Sequence, residues 1–287
     1  MNLSPSIGRR RLQGGVARVL LYLLFVLFTL IVLIPFYWMV KSALSPRQEI
    51  FHVPPTYLVK PTLDNFRTLV NQVPFGRYFL NSLLFSTATT LATLAASFLA
   101  AYAIARIPVR GSNVLLLALV ISTALPEIVT IIPLYQVLLR LQLLDSIIGL
   151  TLIMSSVLAP FTVWVLVAFI RQVPYEVEEA AIVDGARLPE ILWRIVLPMT
   201  APALATMAVI NFVNAWNNLL YPLAFSSTNK SRTLSLAITE VFQVSSQYGR
   251  PWELISSLGV TMMVPVILLA IASQRAIVRG LTAGAIK

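Results

Sequence analysis

Six long stretches of this 287-residue chain carry almost no charge, and they constrain its fold more than any other feature. A helix needs about 20 apolar residues to cross the roughly 30 Å of hydrocarbon in a bilayer, and each stretch is long enough. A backbone in lipid must satisfy its own hydrogen bonds, and no stretch shows the alternation typical of strands. The predicted spans are residues 19–40, 78–105, 114–139, 146–170, a part of 195–229 near 203–223, and 254–274. The predicted fold class is therefore all-α and integral to the membrane, with six transmembrane helices surrounded by lipid.

The basic residues indicate how the chain is oriented. The net charge is +10, but the bases are scattered over tails and loops, so we expect no nucleic-acid partner. Three short segments hold bases and no acid: Arg9, Arg10, Arg11 and Arg18 before the first span, Arg106 and Arg110 in the second loop, and Arg275, Arg279 and Lys287 after the last span. By the positive-inside rule these segments face the cytoplasm. We therefore expect a multi-pass protein of the plasma or inner membrane with both termini cytoplasmic and with the loops around His52 and Lys230 outside.

The sequence contains none of the patterns that indicate catalysis or metal binding. Cysteine is absent, which excludes disulfides and thiolate ligands, and His52 is the only histidine. There is no metal-ligand spacing, no nucleophile elbow and no phosphate loop of the form G-x-x-x-x-G-K-[ST]. We expect a non-catalytic chain that holds no cofactor or metal and does not hydrolyse ATP itself.

One segment between the fourth and fifth spans is unusually acidic. It contains five of the eleven acidic residues of the chain: Glu176, Glu178, Glu179, Asp184 and Glu190. Pro174 suits the start of a helix, where acidic side chains favour the positive end of the helix dipole. One side of that helix is formed by residues whose small size permits the close approach of a partner: Ala180, Ala181, Asp184 and Gly185. A second short helix is expected to start near Pro189 and to end at Leu197-Pro198.

The spacing within this segment resembles the cytoplasmic EAA loop of ABC importer permeases. It reads Glu179-Ala180-Ala181, three residues, Gly185, nine residues, Ile195, one residue, and Leu197-Pro198. Four more segments resemble the carbohydrate-uptake branch of type I permeases, in particular the smaller, six-span permease of the maltose importer. They are IIPLY at 131–135, LLDSIIGL at 143–150, RTLSLAI at 232–238 and QRAIVRGLTAGAIK at 274–287. The resemblance therefore covers most of the chain.

This resemblance implies a type I ABC importer permease fold in three parts. Residues 1–77 form a basic tail, the first helix and an external loop, residues 78–275 form a permease core with a coupling loop at 172–198, and residues 276–287 form a cytoplasmic tail. The coupling loop is implied to contact an ATPase through Glu179, Ala180, Ala181, Asp184, Gly185, Ile195, Leu197 and Pro198. The tail is implied to reach the same ATPase with Gly280, Leu281, Thr282, Gly284 and Lys287. The implied partners are a second, homologous permease, two ATPase subunits that hold ATP and Mg, and an extracytoplasmic sugar-binding protein.

Polar residues inside the predicted spans are candidates for the substrate path. The fifth span contains Asn211, Asn214, Trp216, Asn217 and Asn218, and by the helical period Asn211, Asn214 and Asn218 share a face. Amides and aromatic rings suit the hydroxyls and C–H faces of a sugar. The equal alternative is that the amides join neighbouring helices.

Glu127 is the one acidic residue within a predicted span, the third. A carboxylate in the membrane faces either a cavity or a neighbouring helix. The resemblance implies the permease subunit of an ATP-driven sugar importer. Glu127 leaves one alternative open, a carrier that couples transport to protons or ions through this carboxylate. A membrane-bound enzyme is disfavoured by the missing catalytic patterns. Stable association with a separate ATPase distinguishes the importer from both.

Overall fold

The computed structural model describes residues 7–50, 52–54, 56–57, 60–108, 110–243 and 249–283, and side chains from 18 to 274 within those ranges. Every regular element among these residues is helical, which confirms the predicted fold class. In chain order the elements are α1 Ile7–Leu44, α2 Arg47–Ile50, α3 Asp64–Gln72, α4 Phe75–Arg106, α5 Ser112–Ser122, α6 Glu127–Arg140, α7 Ile147–Ile170, α8 Tyr175–Val183, α9 Leu188–Ile191, a π-helical turn Leu192–Val196, α10 Leu197–Asn217, α11 Leu220–Phe225, α12 Ala237–Val241 and α13 Trp252–Ala283.

Among the described residues, five helices are long and apolar enough to cross a membrane, and the count becomes six if α5 and α6 together form one span. The predicted span at residues 114–139 is not one continuous helix, because α5 and α6 are bent by 103° at a short break. Pro126 explains the break. It has no N–H to donate, and the residue before a proline avoids the helical conformation.

The start of the fifth span differs from the prediction as well. We expected a helix break at Leu197-Pro198, but α9, the π-helical turn and α10 run on without interruption. Pro198 cannot donate a backbone hydrogen bond, and the wider turn that precedes it allows the N–H of Leu197 to bond to the carbonyl of Leu192 instead. The coupling loop therefore joins directly onto the fifth span.

The fifth span also ends earlier than expected, at Asn217. Asn218 is extended, with φ −65° and ψ 126°, so the prediction that it shares a helical face with Asn211 and Asn214 is wrong. Pro222 has no N–H for the carbonyl of Asn218, which instead accepts a hydrogen bond from the hydroxyl of Ser235 at 2.7 Å. The side-chain oxygen of Asn218 accepts from the N–H of Tyr221 at 3.1 Å and so caps the start of α11.

One compact unit comprises the described residues of 70–243 together with 261–283. Its centre is formed by α4, α7 and α10, which pack on one another. One apolar cluster includes Phe98, Leu166 and Val196, at the end of these helices that adjoins the coupling loop. A second cluster, at the opposite end, includes Phe85, Met154 and Tyr221. Between the clusters α4 presents a buried row of hydroxyl side chains, Ser86, Thr89, Thr93 and Ser97, whose small size allows close helix packing.

The other unit comprises the described residues of 1–69 together with 249–260. Asn65 fixes the end of α1 by donating hydrogen bonds of 2.8 Å to the carbonyls of Ala43 and Ser45. Arg47 pairs with Glu253 at 3.2 Å. Residues of α1 from Val19 to Val40 expose their apolar side chains, as expected of a helix that faces lipid. The three-part division at 77/78 and 275/276 stays a prediction.

Candidate functional site

The coupling loop, residues 172–198, contains a short helix that a glycine terminates. After α8 ends at Val183, Gly185 adopts φ +86°, in the left-handed region. The N–H of Ala186 bonds to the carbonyl of Ala181 at 2.9 Å, and the N–H of Gly185 bonds to that of Ile182 at 3.0 Å. These two bonds form a Schellman motif, for which a glycine at this position is the favoured residue. The prediction that Gly185 lies on this helix is therefore wrong: it lies just beyond the end of α8, and its positive φ explains the glycine without reference to a partner.

A buried ion pair fixes α8 to the end of α4. Glu178 is 1% exposed and accepts a hydrogen bond of 2.7 Å from Nε of Arg106 and one of 3.0 Å from the hydroxyl of Tyr102. Arg106 also donates to the carbonyl of Val173 at 2.8 Å, and its guanidinium lies 5.6 Å from the centre of the Tyr175 ring. From the sequence we interpreted Glu178 only as an acidic residue in the first turn of a helix, and we did not predict its ion pair with Arg106. The isolated Arg106 at the end of an uncharged span was the available signal.

The opposite face of the loop is open. Glu179, Ala180, Asp184, Gly185 and Pro198 are exposed, whereas Ala181, Ile195 and Leu197 are half-buried. Large apolar side chains are exposed beside them, namely Ile182, Val183, Leu188 and Trp193, with Val183 87% exposed. A hollow of about 230 Å³ is lined by Asp184, Gly185, Ala186, Glu190, Arg194 and Ile195. An apolar surface of this kind, rimmed by charges, is typical of a protein interaction site.

A second candidate site lies where two helix breaks meet. Glu127, the first residue of α6, accepts a hydrogen bond of 3.3 Å from the amide of Asn218, in the break that follows α10. One hollow of about 340 Å³ is lined by Glu127, Val213, Asn214, Asn217, Asn218, Leu219 and Leu220. A second hollow, of about 510 Å³, also has Glu127 and Asn214 in its wall, together with Ser122, Thr130, Tyr221 and mostly apolar side chains. Irregular backbone at membrane depth is tolerated where it lines a cavity or is covered by protein, and both breaks do line one.

The structure divides the predicted path residues into two groups. Asn214, Asn217 and Asn218 line the first hollow beside Glu127. Asn211 and Trp216 are instead 1% exposed and serve packing. The Asn211 amide donates to the hydroxyl of Thr162 at 3.1 Å, and the Trp216 indole donates to the carbonyl of Met262 at 3.0 Å. For these two residues the contacts match the alternative of interhelical bonding.

Asp145 organises the segment that follows α11. Its carboxylate accepts hydrogen bonds of 3.0 Å from the N–H groups of Ser227 and Thr228, and it also accepts from the hydroxyls of Thr228 and Ser231. Burial acts to raise the pKa of Asp145, but these hydrogen bonds outweigh it and hold the pKa below its ordinary value of 3.8. The LLDSIIGL segment is thereby tied to the segment that leads into RTLSLAI, where Leu234 donates its N–H to the hydroxyl of Ser82 at 2.7 Å.

Of the five C-terminal residues implied to contact an ATPase, the structure describes the backbone of three. Gly280, Leu281 and Thr282 lie in the last turns of α13, whereas Gly284 and Lys287 lie outside the described residues. No group of three or more His, Cys, Asp or Glu side chains within the described ranges has the arrangement of a metal site.

Comparison with known proteins identifies the family. Residues 92–283 match the family described as the binding-protein-dependent transport system inner membrane component, and the chain belongs to this family. It is therefore a multi-pass membrane protein and a permease of the ABC transporter class, as the EAA spacing indicated.

Three relatives are similar over most of their length. The sulfoquinovosyl glycerol transport system permease protein SmoH of Agrobacterium fabrum is 32% identical over 89% of this chain and 89% of its own. The trehalose transport system permease protein SugB of Mycobacterium tuberculosis is 32% identical over 89% of this chain and 92% of its own. The trehalose/maltose transport system permease protein MalG of Thermococcus litoralis is 30% identical over 94% of this chain and 97% of its own.

A solved structure has the same fold. It is a chain of a bacterial ABC transporter involved in the import of the acidic polysaccharide alginate, with a TM-score of 0.76. The match covers 96% of this chain and 99% of that one, at 19% sequence identity. The type I permease fold that the sequence predicted is thereby confirmed.

Proposed function

We propose that this chain is the transmembrane permease subunit of an ATP-driven sugar importer and forms half of its translocation path. The observation that carries the proposal is the pairing of two features in one compact unit. One is an exposed apolar loop anchored by a buried ion pair, and the other is an amide-lined hollow at two helix breaks. The anchored loop is suited to binding a partner protein that moves, and the amide-lined hollow is suited to a polar solute.

The coupling loop is the part that engages the ATPase. Its backbone is held from inside by Glu178 and Arg106 and is capped at Gly185, so a partner meets a preformed surface. A preformed surface binds without the cost of ordering a loop. ATP and Mg belong to two copies of this ATPase, and the permease itself performs no chemistry. A second, homologous permease completes the path, and an extracytoplasmic binding protein delivers the solute.

The hollow supports a sugar as the solute. Asn214, Asn217 and Asn218 offer both donors and acceptors, as sugar hydroxyls require. The relatives named for sulfoquinovosyl glycerol, trehalose and trehalose/maltose transport support the same class. Family membership and the exposed coupling loop favour this function over a proton- or ion-coupled carrier that uses Glu127.

The test is purification of the complex from membranes that carry a tagged form of this chain. We expect an ATPase, a second permease and a binding protein, and we expect the binding protein to bind a sugar in a calorimetric screen of sugars, amino acids and metal ions. A matched pair of variants adds a control on the docking surface. Trp193→Glu, on the exposed apolar face, is expected to release the ATPase, whereas Val53→Glu, also exposed but in the loop that follows α2, is not. Purification without an ATPase, or a binding protein specific for another class of solute, contradicts the proposal.

Orientation is part of the proposal and has its own test. The chain has no cysteine, so single cysteines report unambiguously. Lys230 and Arg110, the latter outside the coupling loop, are both exposed. With both termini inside, Lys230→Cys reacts with an impermeant thiol reagent in intact cells, and Arg110→Cys reacts only after the membrane is permeabilised. The reverse pattern contradicts the orientation.

A further inference from the structure

The polar wall of the two hollows carries a charge of one sign. Among the described residues that line them, Glu127 is the only charged one, and the others are amides, hydroxyls and apolar side chains. No lysine or arginine faces the carboxylate from α6, α7, α10 or α11 within these linings. Within the described part of the chain, its hydrogen-bond donor is the neutral Asn218 amide.

Glu127 lies where its charge can act on a solute in either hollow. Glu127 and Asn214 are the two residues shared by both linings, so they lie at the junction of the two hollows. A solute that moves from one hollow to the other passes the carboxylate. A charge that no described lining residue of this chain compensates repels anions and attracts cations, because low-dielectric walls concentrate its field.

We propose that Glu127 is a specificity-determining residue that makes this path select neutral sugars over acidic ones. The inference rests on the proposed sugar import and names the substrate class within it. Neutral hydroxyls donate to the carboxylate and to the side-chain oxygens of Asn214 and Asn217, whereas a uronate group loses its hydration and meets a like charge. The likeness to the alginate transporter is one of fold alone, so it carries no information on the charge of the solute.

The primary test measures the field in the hollows and does not depend on which sugar is carried. Single cysteines replace Asn217 in the first hollow, Ser122 in the second, and Asn71, exposed on α3, as a remote control. In the assembled importer, each thiol is modified with a cationic or an anionic methanethiosulfonate of similar size, and the labelled peptide of this chain is quantified by mass spectrometry. A unit charge within roughly 8 Å, in a water-like medium, raises the ratio of cationic to anionic rates about five-fold.

Glu127→Gln has the same shape and keeps an oxygen for the Asn218 amide, so the expected change is one of charge alone. We expect it to lower the rate ratio about five-fold at Asn217→Cys and Ser122→Cys and to leave it unchanged at Asn71→Cys. In the chain that retains Glu127, raising the salt from roughly 10 mM to 500 mM should reduce the ratio in the same direction, since salt screens the charge. Ratios insensitive to both the substitution and salt, or a change at the remote cysteine as large as in the hollows, overturn the inference.

The sugar screen supplies a second and separate outcome. Neutral disaccharides and an oligouronate are offered to the binding protein, and whichever binds is tested for uptake by the reconstituted importer. Import of the neutral sugar alone supports the inference. Import of the oligouronate overturns it and leaves the proposed function standing, whereas a binding protein that takes no sugar removes the proposed function and leaves the measured field unaffected.

Discussion

Replacing Gly185 separates a conformational requirement from a requirement for space. An ideal Cβ at Gly185 meets no atom within 4 Å, so substitution causes no clash inside this chain. The cost is conformational, because φ is +86° and an L-residue in the left-handed region loses roughly 1–2 kcal/mol. Asparagine tolerates that region far better than alanine or leucine. A loss of about 1 kcal/mol shifts the balance between the capped and the frayed end of α8 about five-fold.

We therefore expect Gly185→Asn to retain most uptake, Gly185→Ala to lose a few-fold, and Gly185→Leu to lose nearly all, because leucine adds bulk on the docking face to the strain. The assay is uptake of labelled sugar together with recovery of the ATPase from the same membranes. Asparagine is larger than alanine but tolerates a positive φ better, so Gly185→Asn and Gly185→Ala form a matched pair that separates size from strain. If asparagine were as damaging as leucine and alanine harmless, closeness to the partner would be the requirement and the cap would be irrelevant. Normal uptake by Gly185→Leu would remove the loop as the coupling element.

Three further predictions concern buried and lining polar groups. Glu178→Gln leaves Arg106 buried without its counter-charge, which costs about 3–5 kcal/mol; thermal unfolding of the complex should show this loss, and adding Arg106→Gln in the same chain should recover part of it. Asn214→Leu should reduce uptake in an assembled complex, whereas Asn211→Leu should reduce the yield of folded protein, because only the second breaks a buried hydrogen bond; the opposite assignment would contradict our division of the asparagines. Asp145 has a lowered pKa in the folded protein, so its stabilisation is present above the ordinary value of 3.8 and is lost as the pH falls through the lower folded value. The midpoint temperature of thermal unfolding should therefore fall more steeply below about pH 4 in the parent chain than in Asp145→Asn. Equal slopes in the two chains would refute the stabilising role of the Asp145 carboxylate.

The sequence predicted the features that depend on local composition and spacing. Uncharged stretches of 20 residues or more have few alternatives to a transmembrane helix, and the EAA spacing can be read directly from the sequence. The helical start at Pro174 and the exposure of Glu179 and Gly185 followed from the same local rules.

The sequence could not predict the features that depend on what a distant segment supplies. Pro126 broke its helix and Pro198 did not, because only the second is preceded by a π-helical turn that rearranges the backbone bonds. The break at Asn218 depends on the hydroxyl of Ser235, 17 residues further on. Asn211 and Asn214 are three residues apart in one helix, yet only one is covered by α7. Proline and asparagine alone do not distinguish these outcomes.

The unbroken helix has a mechanical consequence for the proposed function. A break at Leu197-Pro198 would have made the coupling loop and the fifth span two bodies joined by a hinge. Instead, helix runs without interruption from Leu188 to Asn217, a length of about 45 Å at 1.5 Å per residue. Its first end carries the exposed face of the coupling loop, and its other end reaches the hollow where Asn218 bonds to Glu127. If a partner displaces the loop, we expect this helix to carry the displacement as a rigid-body movement to the contact between the two helix breaks.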